Sequence, residues 1–160
     1  MKHTISVLVE NHAGVLSRIT GLFSRRGFNI DSLAVGVTED KTVSRMTIVV
    51  DGDEKTLEQV TKQLHKLVSV YKITDLTDED AIERELALFK VSAPPDRRHE
   101  IIEIANVFRA NIVDVGKNSL TIEATGDESK LEAMEDLFRA YGLKQLVRTG
   151  KIAMSRNSKD

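Results

Sequence analysis

Residues 11–19 have the sequence Asn-His-Ala-Gly-Val-Leu-Ser-Arg-Ile, and they join an alternating apolar run to an amphipathic helix through a polar turn. The alternating run is Ile5-Ser6-Val7-Leu8-Val9, whose period of two predicts a strand. Beyond the turn, apolar residues recur at helical spacing, namely Val15, Leu16, Ile19, Leu22 and Phe23. The stretch therefore predicts a strand that leads into a helix from about Gly14 to Arg26.

The start of this helix is a candidate ligand site. The first N–H groups of a helix have no partner within it and carry the positive end of the helix dipole, so they attract a carboxylate. Gly14 has no Cβ and lets a ligand approach closely. The side-chain carbonyl of Asn11 can accept a hydrogen bond from an ammonium group, and an ammonium beside a carboxylate describes a free amino acid. The alternative is that Asn11 only caps the turn and Gly14 only permits it.

Composition predicts a globular protein that works without disulfides. The 160 residues suffice for one ordinary domain or two small ones, with 41% hydrophobic and 30% charged residues. The absence of cysteine excludes disulfides, thiolate zinc sites and cysteine nucleophiles. No apolar run approaches the ~20 residues that span a bilayer. Because the first residues lead straight into a strand without a secretory core, we expect a cytoplasmic protein that does not bind membranes.

Charge and aromatic content argue against nucleic acid as a partner. The formal net charge is −2, which gives no global attraction to a polyanion. Aromatic residues make up only 4% of the chain and tryptophan is absent, so base-stacking platforms are poorly supplied.

The first half of the chain has the element order strand, helix, strand, strand, helix, strand. After the first helix, Leu33, Val35 and Val37 keep a period of two, and Met46, Ile48 and Val50 return after a turn at Thr38–Lys41. Leu57, Val60 and Leu64 mark a second amphipathic helix, and Val68, Val70, Tyr71 and Ile73 a fourth strand. This βαββαβ order predicts a ferredoxin-like unit with both helices on one face of an antiparallel sheet.

The same order recurs after a polar join at residues 76–80. The pattern again gives strand, helix, hairpin, helix and a final strand through Leu143 and Val147 that continues to Ile152 and Met154. We therefore predict an α+β protein of two ferredoxin-like units, spanning residues 1–77 and 78–160. The apolar-free tail from Ser155 is expected to fray.

The small size of each unit predicts self-association. A sheet covered by helices on one side leaves its edges and its other face exposed. Val35, Val37, Val49 and Val50 point in both directions from their strands, so we expect the first domain to form an isologous dimer with a second copy of the chain.

The residues that could carry catalysis are scattered. His3, His12, His65 and His99 stand apart from one another, and the glycines at 14, 21 and 27 match no nucleotide-binding fingerprint. Acidic pairs such as Glu83 and Glu85 have the spacing of an ordinary solvated strand. We therefore expect no catalytic residue, no metal site and no enzyme activity in this chain.

Two further stretches accompany residues 11–19: Gly27-Phe28-Asn29-Ile30-Asp31-Ser32-Leu33 and Ser44-Arg45-Met46-Thr47-Ile48. With them the chain closely resembles the small regulatory subunits of acetolactate synthase, also called acetohydroxyacid synthase. The Asn-x-x-Gly-x-Leu-x-Arg pattern occurs in many amino-acid-sensing ACT domains, whereas the other two stretches are typical of this family. The resemblance covers essentially the whole chain, with sharper motifs in the N-terminal half.

The resemblance implies an N-terminal ACT domain that dimerises side by side and binds a branched-chain amino acid, usually valine, at the interface. One chain would hold the effector with Asn11, Ala13, Gly14, Val15 and Leu16, and the partner subunit would supply Asn29 and Ile30. The family's role is to activate the large catalytic subunit and to confer feedback inhibition in branched-chain amino acid biosynthesis.

By the same resemblance, thiamine diphosphate, magnesium and FAD belong to the catalytic subunit, and this chain binds no cofactor. A different reading remains open, in which the chain is a free-standing amino-acid-sensing ACT-domain regulator that is attached to no enzyme.

Overall fold

The computed structural model describes residues 1–156, which form two compact units. Among the described residues, one unit contains 1–82 together with 151–156, and the other contains 83–150. The sequence-based division into 1–77 and 78–160 differs from this partition in two ways. In the structure the boundary between the units lies five residues later, after Ile82, and the chain returns to the first unit after Gly150.

The first unit has the predicted βαββαβ order. Its elements are β1 (Lys2–Glu10), α1 (Val15–Arg25), β2 (Asn29–Val37), β3 (Val43–Asp51), α2 (Glu54–His65) and β4 (Val70–Asp75). The described strands pair in the order β2-β3-β1-β4, and every pairing is antiparallel. This confirms the ferredoxin-like prediction for the N-terminal half.

One face of each element supplies the core of this unit. In β1, the alternate residues Ile5, Val7 and Val9 are buried, while α1 contributes a stripe at helical spacing. The buried cluster consists of Ile5, Val7, Val9, Val15, Ile19, Phe23, Phe28, Met46, Ile48, Val50, Leu57, Val60 and Leu64. Both helices therefore lie on one face of the sheet, which fixes the start of α1 beside the end of β1.

The four valines that were expected to support dimerisation divide into two pairs. Val35 and Val37, on the edge strand β2, are 48% and 62% exposed. Val49 and Val50, on the inner strand β3, are 7% and 0% exposed, so the expectation that they remain open for dimerisation is wrong. Val35 and Val37 therefore leave apolar surface exposed on the β2 edge.

The second unit repeats the fold. Its elements are β5 (Ala81–Ser92), α3 (Arg98–Val107), β6 (Asn111–Val115), β7 (Ser119–Gly126), α4 (Glu128–Tyr141) and β8 (Leu143–Arg148). These strands are ordered β6-β7-β5-β8, and Phe89, Ile122, Met134 and Phe138 are among the residues of its separate core. The α+β class with two ferredoxin-like units is thus confirmed.

The last strand is broken, contrary to the expectation of one continuous strand. β8 ends at Arg148, and β9 (Ile152–Ser155) begins after Gly150, whose φ of +87° turns the chain. The buried Glu85 carboxylate accepts hydrogen bonds from Arg148 at 2.9 and 2.8 Å and from Gly150 N–H at 3.2 Å, which holds this turn.

The C-terminal tail is ordered at its start. Ser155 lies in β9, and the Arg156 N–H donates to the Asp80 carbonyl at 2.8 Å. The rest of the expected frayed tail, residues 157–160, lies outside the described residues.

Gly52→Ala tests the packing of the first core. A Cβ at Gly52 would overlap the ring of Phe28, which is 5% exposed and packs edge-on against Phe23 with ring centroids 6.1 Å apart. Because that ring cannot swing into solvent, we expect a loss of about 1–3 kcal/mol in the free energy of unfolding, measured by urea denaturation.

Gly21→Ala is the matched control. Its added Cβ would meet only the end of the Arg25 side chain at 3.7 Å, and alanine is favoured inside a helix, so a gain of about 0.5–1 kcal/mol is expected. Equal stability of Gly52→Ala and the unmodified protein would contradict the seating of Phe28 against Gly52.

Candidate functional site

The backbone at the start of α1 requires glycine. Gly14 is the residue that precedes the helix, with φ +90° and ψ −18°, in the left-handed region that other residues enter at a cost. A Cβ built on Gly14 would meet no atom within 4 Å among the described residues. The space in front of the helix start is therefore open. Gly14 both allows the left-handed backbone conformation and leaves room for a ligand to approach the first amides of the helix.

Asn11 does not cap the helix. Its Nδ2 donates to the Lys41 carbonyl at 2.9 Å, and its backbone N–H donates to the Thr42 carbonyl at 2.8 Å. These bonds tie the turn after β1 to the β2–β3 hairpin turn, and no donor from residues 1–156 reaches the Asn11 Oδ1. Asn11 therefore has the turn-fixing role of the alternative interpretation without capping α1, and its Oδ1 is available to accept a hydrogen bond.

The turn that holds Asn11 is itself fixed. Asp40 Oδ1 accepts from the Thr42 hydroxyl at 2.7 Å and from the Thr42 N–H at 2.9 Å, and these bonds lower the pKa of Asp40. Sequence reasoning identified this segment as a hairpin turn but missed its contact with Asn11, because that contact joins residues 30 positions apart.

Side chains close two other helix starts but leave α1 open. Asp53 accepts from Thr56 N–H at 2.7 Å before α2, and Asp127 accepts from Lys130 N–H at 2.9 Å before α4. These bonds to backbone amides lower the pKa of both carboxyl groups. α3 also lacks a side-chain cap, but it has the acidic Glu100 in its first turn. Of the helices in residues 1–156, only α1 lacks both a side-chain cap and an acidic residue in the first turn.

The open amides are accessible from solvent. Ala13 and Gly14 are exposed and Leu16 is 43% exposed, whereas the Val15 side chain is buried in the core at 3%. Val15 can therefore contribute only its backbone N–H to a ligand. The arrangement offers several donors for a carboxylate, one acceptor for an ammonium group and an apolar side chain at the rim.

Asn29 and Ile30 lie elsewhere in the same chain. Asn29 opens β2 opposite Asp51 at the end of β3, whereas Asn11 adjoins Thr42 at the beginning of β3. The two ends of this nine-residue strand are about 27 Å apart. One chain therefore brings together residues 11–16 but does not bring Asn29 and Ile30 to them.

The local partners of these two residues are simple. Asn29 Nδ2 donates to Asp31 Oδ1 at 3.1 Å, and Ile30 packs partly buried against the core. Within residues 1–156, no three His, Asp or Glu side chains converge as they would to hold a metal ion, and no helix is long and apolar enough to cross a bilayer.

Comparison with known proteins places this architecture in a family. A model described as the AHAS small subunit-like ACT domain matches residues 5–72, and one described as the small subunit of acetolactate synthase matches residues 84–157. The chain is 60% identical over 159 residues to the probable acetolactate synthase small subunit of Archaeoglobus fulgidus, covering 99% of both proteins. The chain belongs to the acetolactate synthase small-subunit family.

Other family members agree in sequence and structure. The acetolactate synthase small subunit of Mycobacterium leprae is 54% identical over 154 residues, which cover 96% of this chain and 91% of that protein. The crystal structure of the acetolactate synthase small subunit from Thermotoga maritima superposes with a TM-score of 0.88 at 42% identity over 99% of both chains. The resemblance inferred from the sequence motifs is thus confirmed.

Substitution of Asn11 and substitution of Asn29 should differ in their effect on the free energy of unfolding. Asn11→Ala removes the bond to the Lys41 carbonyl and should lower the free energy of unfolding by about 0.5–1.5 kcal/mol. Asn29→Ala removes only an exposed contact with Asp31 and should change it by less than about 0.5 kcal/mol.

Urea denaturation of both variants, without added amino acid and at one protein concentration, measures the difference. Equal losses for the two substitutions would mean that Asn11 does not hold the hairpin turn.

Proposed function

We propose that this chain is the non-catalytic regulatory subunit of acetolactate synthase, that it activates the catalytic subunit, and that it confers feedback inhibition by valine. The observation that carries the proposal is the open start of α1, which has no side-chain cap. Its N-cap residue, Gly14, comes three residues after Asn11, whose side chain bonds through its Nδ2 alone within residues 1–156. The effector's carboxylate accepts from the amides around Gly14, Val15 and Leu16, and its ammonium group donates to Asn11.

The second half of the site comes from another copy of the chain. β2 is an edge strand with Val35 and Val37 exposed, and a two-fold axis beside it would pair it with the partner subunit's β2 in the antiparallel sense. The beginning of the partner strand then lies beside the end of this one. That end, at Val37, pairs with Ser44 near the Asn11–Thr42 contact.

This pairing accounts for the separation of the predicted site residues. Within one chain Asn29 lies at the far end of the sheet, but antiparallel pairing carries Asn29 of the partner subunit toward the open start of α1. Ile30 of the partner subunit then supplies apolar surface for the branched side chain of valine. Each dimer forms two such sites.

Regulation requires that valine distinguish two states. An effector that binds two dimer arrangements equally well shifts nothing, and a coupling free energy of about 1–3 kcal/mol is typical of allosteric proteins. We assign the joining of two oxo acids, together with thiamine diphosphate, magnesium and FAD, to the catalytic subunit in the cytoplasm. Support for this assignment is the family membership and the resemblance that led to it.

Gly14→Asp tests the position of the effector. It places a negative charge where the carboxylate binds, so we expect calorimetry to show valine affinity at least about tenfold below that of Gly14→Asn. Activation of the catalytic subunit should persist, while feedback inhibition by valine is lost.

Gly14→Asn is the matched control. It has nearly the same shape and shares the cost of a left-handed residue, which asparagine tolerates best among residues other than glycine. Normal inhibition of the Gly14→Asp variant by valine would overturn the placement at the helix start. Titration with leucine and isoleucine in the same series identifies the preferred effector.

Substitution of the β2 edge tests the dimer. Val35→Lys combined with Val37→Lys puts two charges on the strand that we pair with the partner, as natural edge strands do to prevent association. We expect the dimer dissociation constant, from sedimentation equilibrium, to rise at least about tenfold, and valine affinity to fall with it.

Tyr71→Lys is the comparison. Tyr71 is 57% exposed on β4, the opposite edge of the same sheet, and its substitution should leave the dimer intact. Dissociation by the Tyr71 variant but not by the β2 variant would show that the wrong edge was chosen.

A further inference from the structure

A basic hollow of about 550 Å³ lies on the first unit, away from the effector site. Its lining consists of Arg26, Gln59, Lys62, Gln63, His65 and Lys66. All of these side chains are polar, and three carry a formal positive charge. In the part of the chain that the structure describes, no acidic residue lines the hollow.

The position of each cation on its helix can be explained separately, but the grouping of the cations in one hollow cannot. Arg26 and Lys66 are the residues that end α1 and α2, where positive charge complements the helix dipole. Gln59, Lys62, Gln63 and Lys66 follow a spacing of three and four, which places them on one face of α2. Like charges in one hollow repel one another, and together they give the hollow a positive electrostatic potential.

Few acidic groups within the chain relieve this potential. Lys62 Nζ lies 3.6 Å from Glu58 Oε1 in an exposed pair. Arg26, His65 and Lys66 make no ion pair among residues 1–156. The hollow is therefore suited to an anionic group from outside the chain.

The surface beside the hollow favours a protein over a small anion. Val68, two residues beyond Lys66, is 92% exposed. An apolar side chain next to cations can be buried by a protein partner, whereas a small phosphate would make no use of it. The adjacent Arg25 does not line the hollow, and its Nε instead donates to the Gly21 carbonyl of its own helix at 3.2 Å.

We propose that the basic surface formed by Arg26, Lys62, His65, Lys66 and Val68 binds an acidic segment of the catalytic subunit. This inference rests on the proposed regulatory function and names the docking site that it needs. The surface lies at the end of α1 opposite to Gly14, about 16 Å along the eleven-residue helix. Effector and catalytic subunit can therefore occupy the same domain at once, as feedback inhibition of an assembled enzyme requires.

The test is the combined substitution Lys62→Gln and Lys66→Gln in the full-length chain. Binding to the large subunit of the same organism is measured by titration calorimetry at several salt concentrations. We expect at least about tenfold weaker binding at low salt and a flatter dependence of affinity on salt, because two charge contacts are lost.

Two single variants sharpen the result. Lys55→Gln makes the same charge change in the first turn of α2, outside the hollow, and should bind the catalytic subunit like the unmodified chain. Val68→Ser should weaken binding without changing the salt dependence, because it removes only apolar contact. Circular dichroism and undiminished valine binding verify that each variant is folded.

The outcomes separate this inference from the proposed function. If the unmodified chain fails to bind the large subunit, the regulatory function itself is wrong. If it binds and the double variant binds equally well with the same salt dependence, the docking surface is wrong. Binding of inorganic pyrophosphate that the double variant loses, while its affinity for the large subunit is unchanged, would instead make the hollow a small-anion site and overturn docking there.

Discussion

The left-handed conformation of Gly14 is the constraint on which the proposed effector site depends. A glycine in the N-cap position has no side chain to accept from the first amides of α1. Asp53 and Asp127, by contrast, have extended backbone conformations before α2 and α4, and their side chains accept hydrogen bonds from amides of the first helical turn. A helix that forgoes such a cap gives up local stability, and it keeps donors whose hydrogen bonds an external carboxylate can complete.

The rigidity of the surroundings makes these donors useful. β1 pairs with β3 over its whole length and with β4 on its other side, and its inward residues belong to the core. Asn11 follows this strand directly and is held by the turn that Asp40 fixes. A ligand therefore meets amides and an acceptor whose positions are set before binding, which lowers the entropy lost on association.

Local patterns predicted the elements because apolar residues recur at helical spacing in each helix and at alternate positions in most strands, although β1 and β3 prove to be buried on both faces. Contacts between distant residues were beyond such reasoning. The break after Arg148 depends on Glu85, which precedes it by 63 residues, and the burial of Val49 depends on tertiary structure that no alternation reveals. The open helix start at Gly14 was predictable, since its signal is local, whereas the tie from Asn11 to Lys41 was not.

The location of the proposed site at a subunit boundary links effector binding to dimerisation. A ligand at 100 times its dissociation constant stabilises the state that binds it by about 2.7 kcal/mol, a large amount for a unit of this size. That linkage alone, however, would regulate only near the dissociation constant of the proposed dimer. At protein concentrations well above that constant every chain would already be paired, and tighter pairing would change nothing that a catalytic subunit could sense. Feedback inhibition at such concentrations would therefore require that valine favour one arrangement of an intact dimer over another.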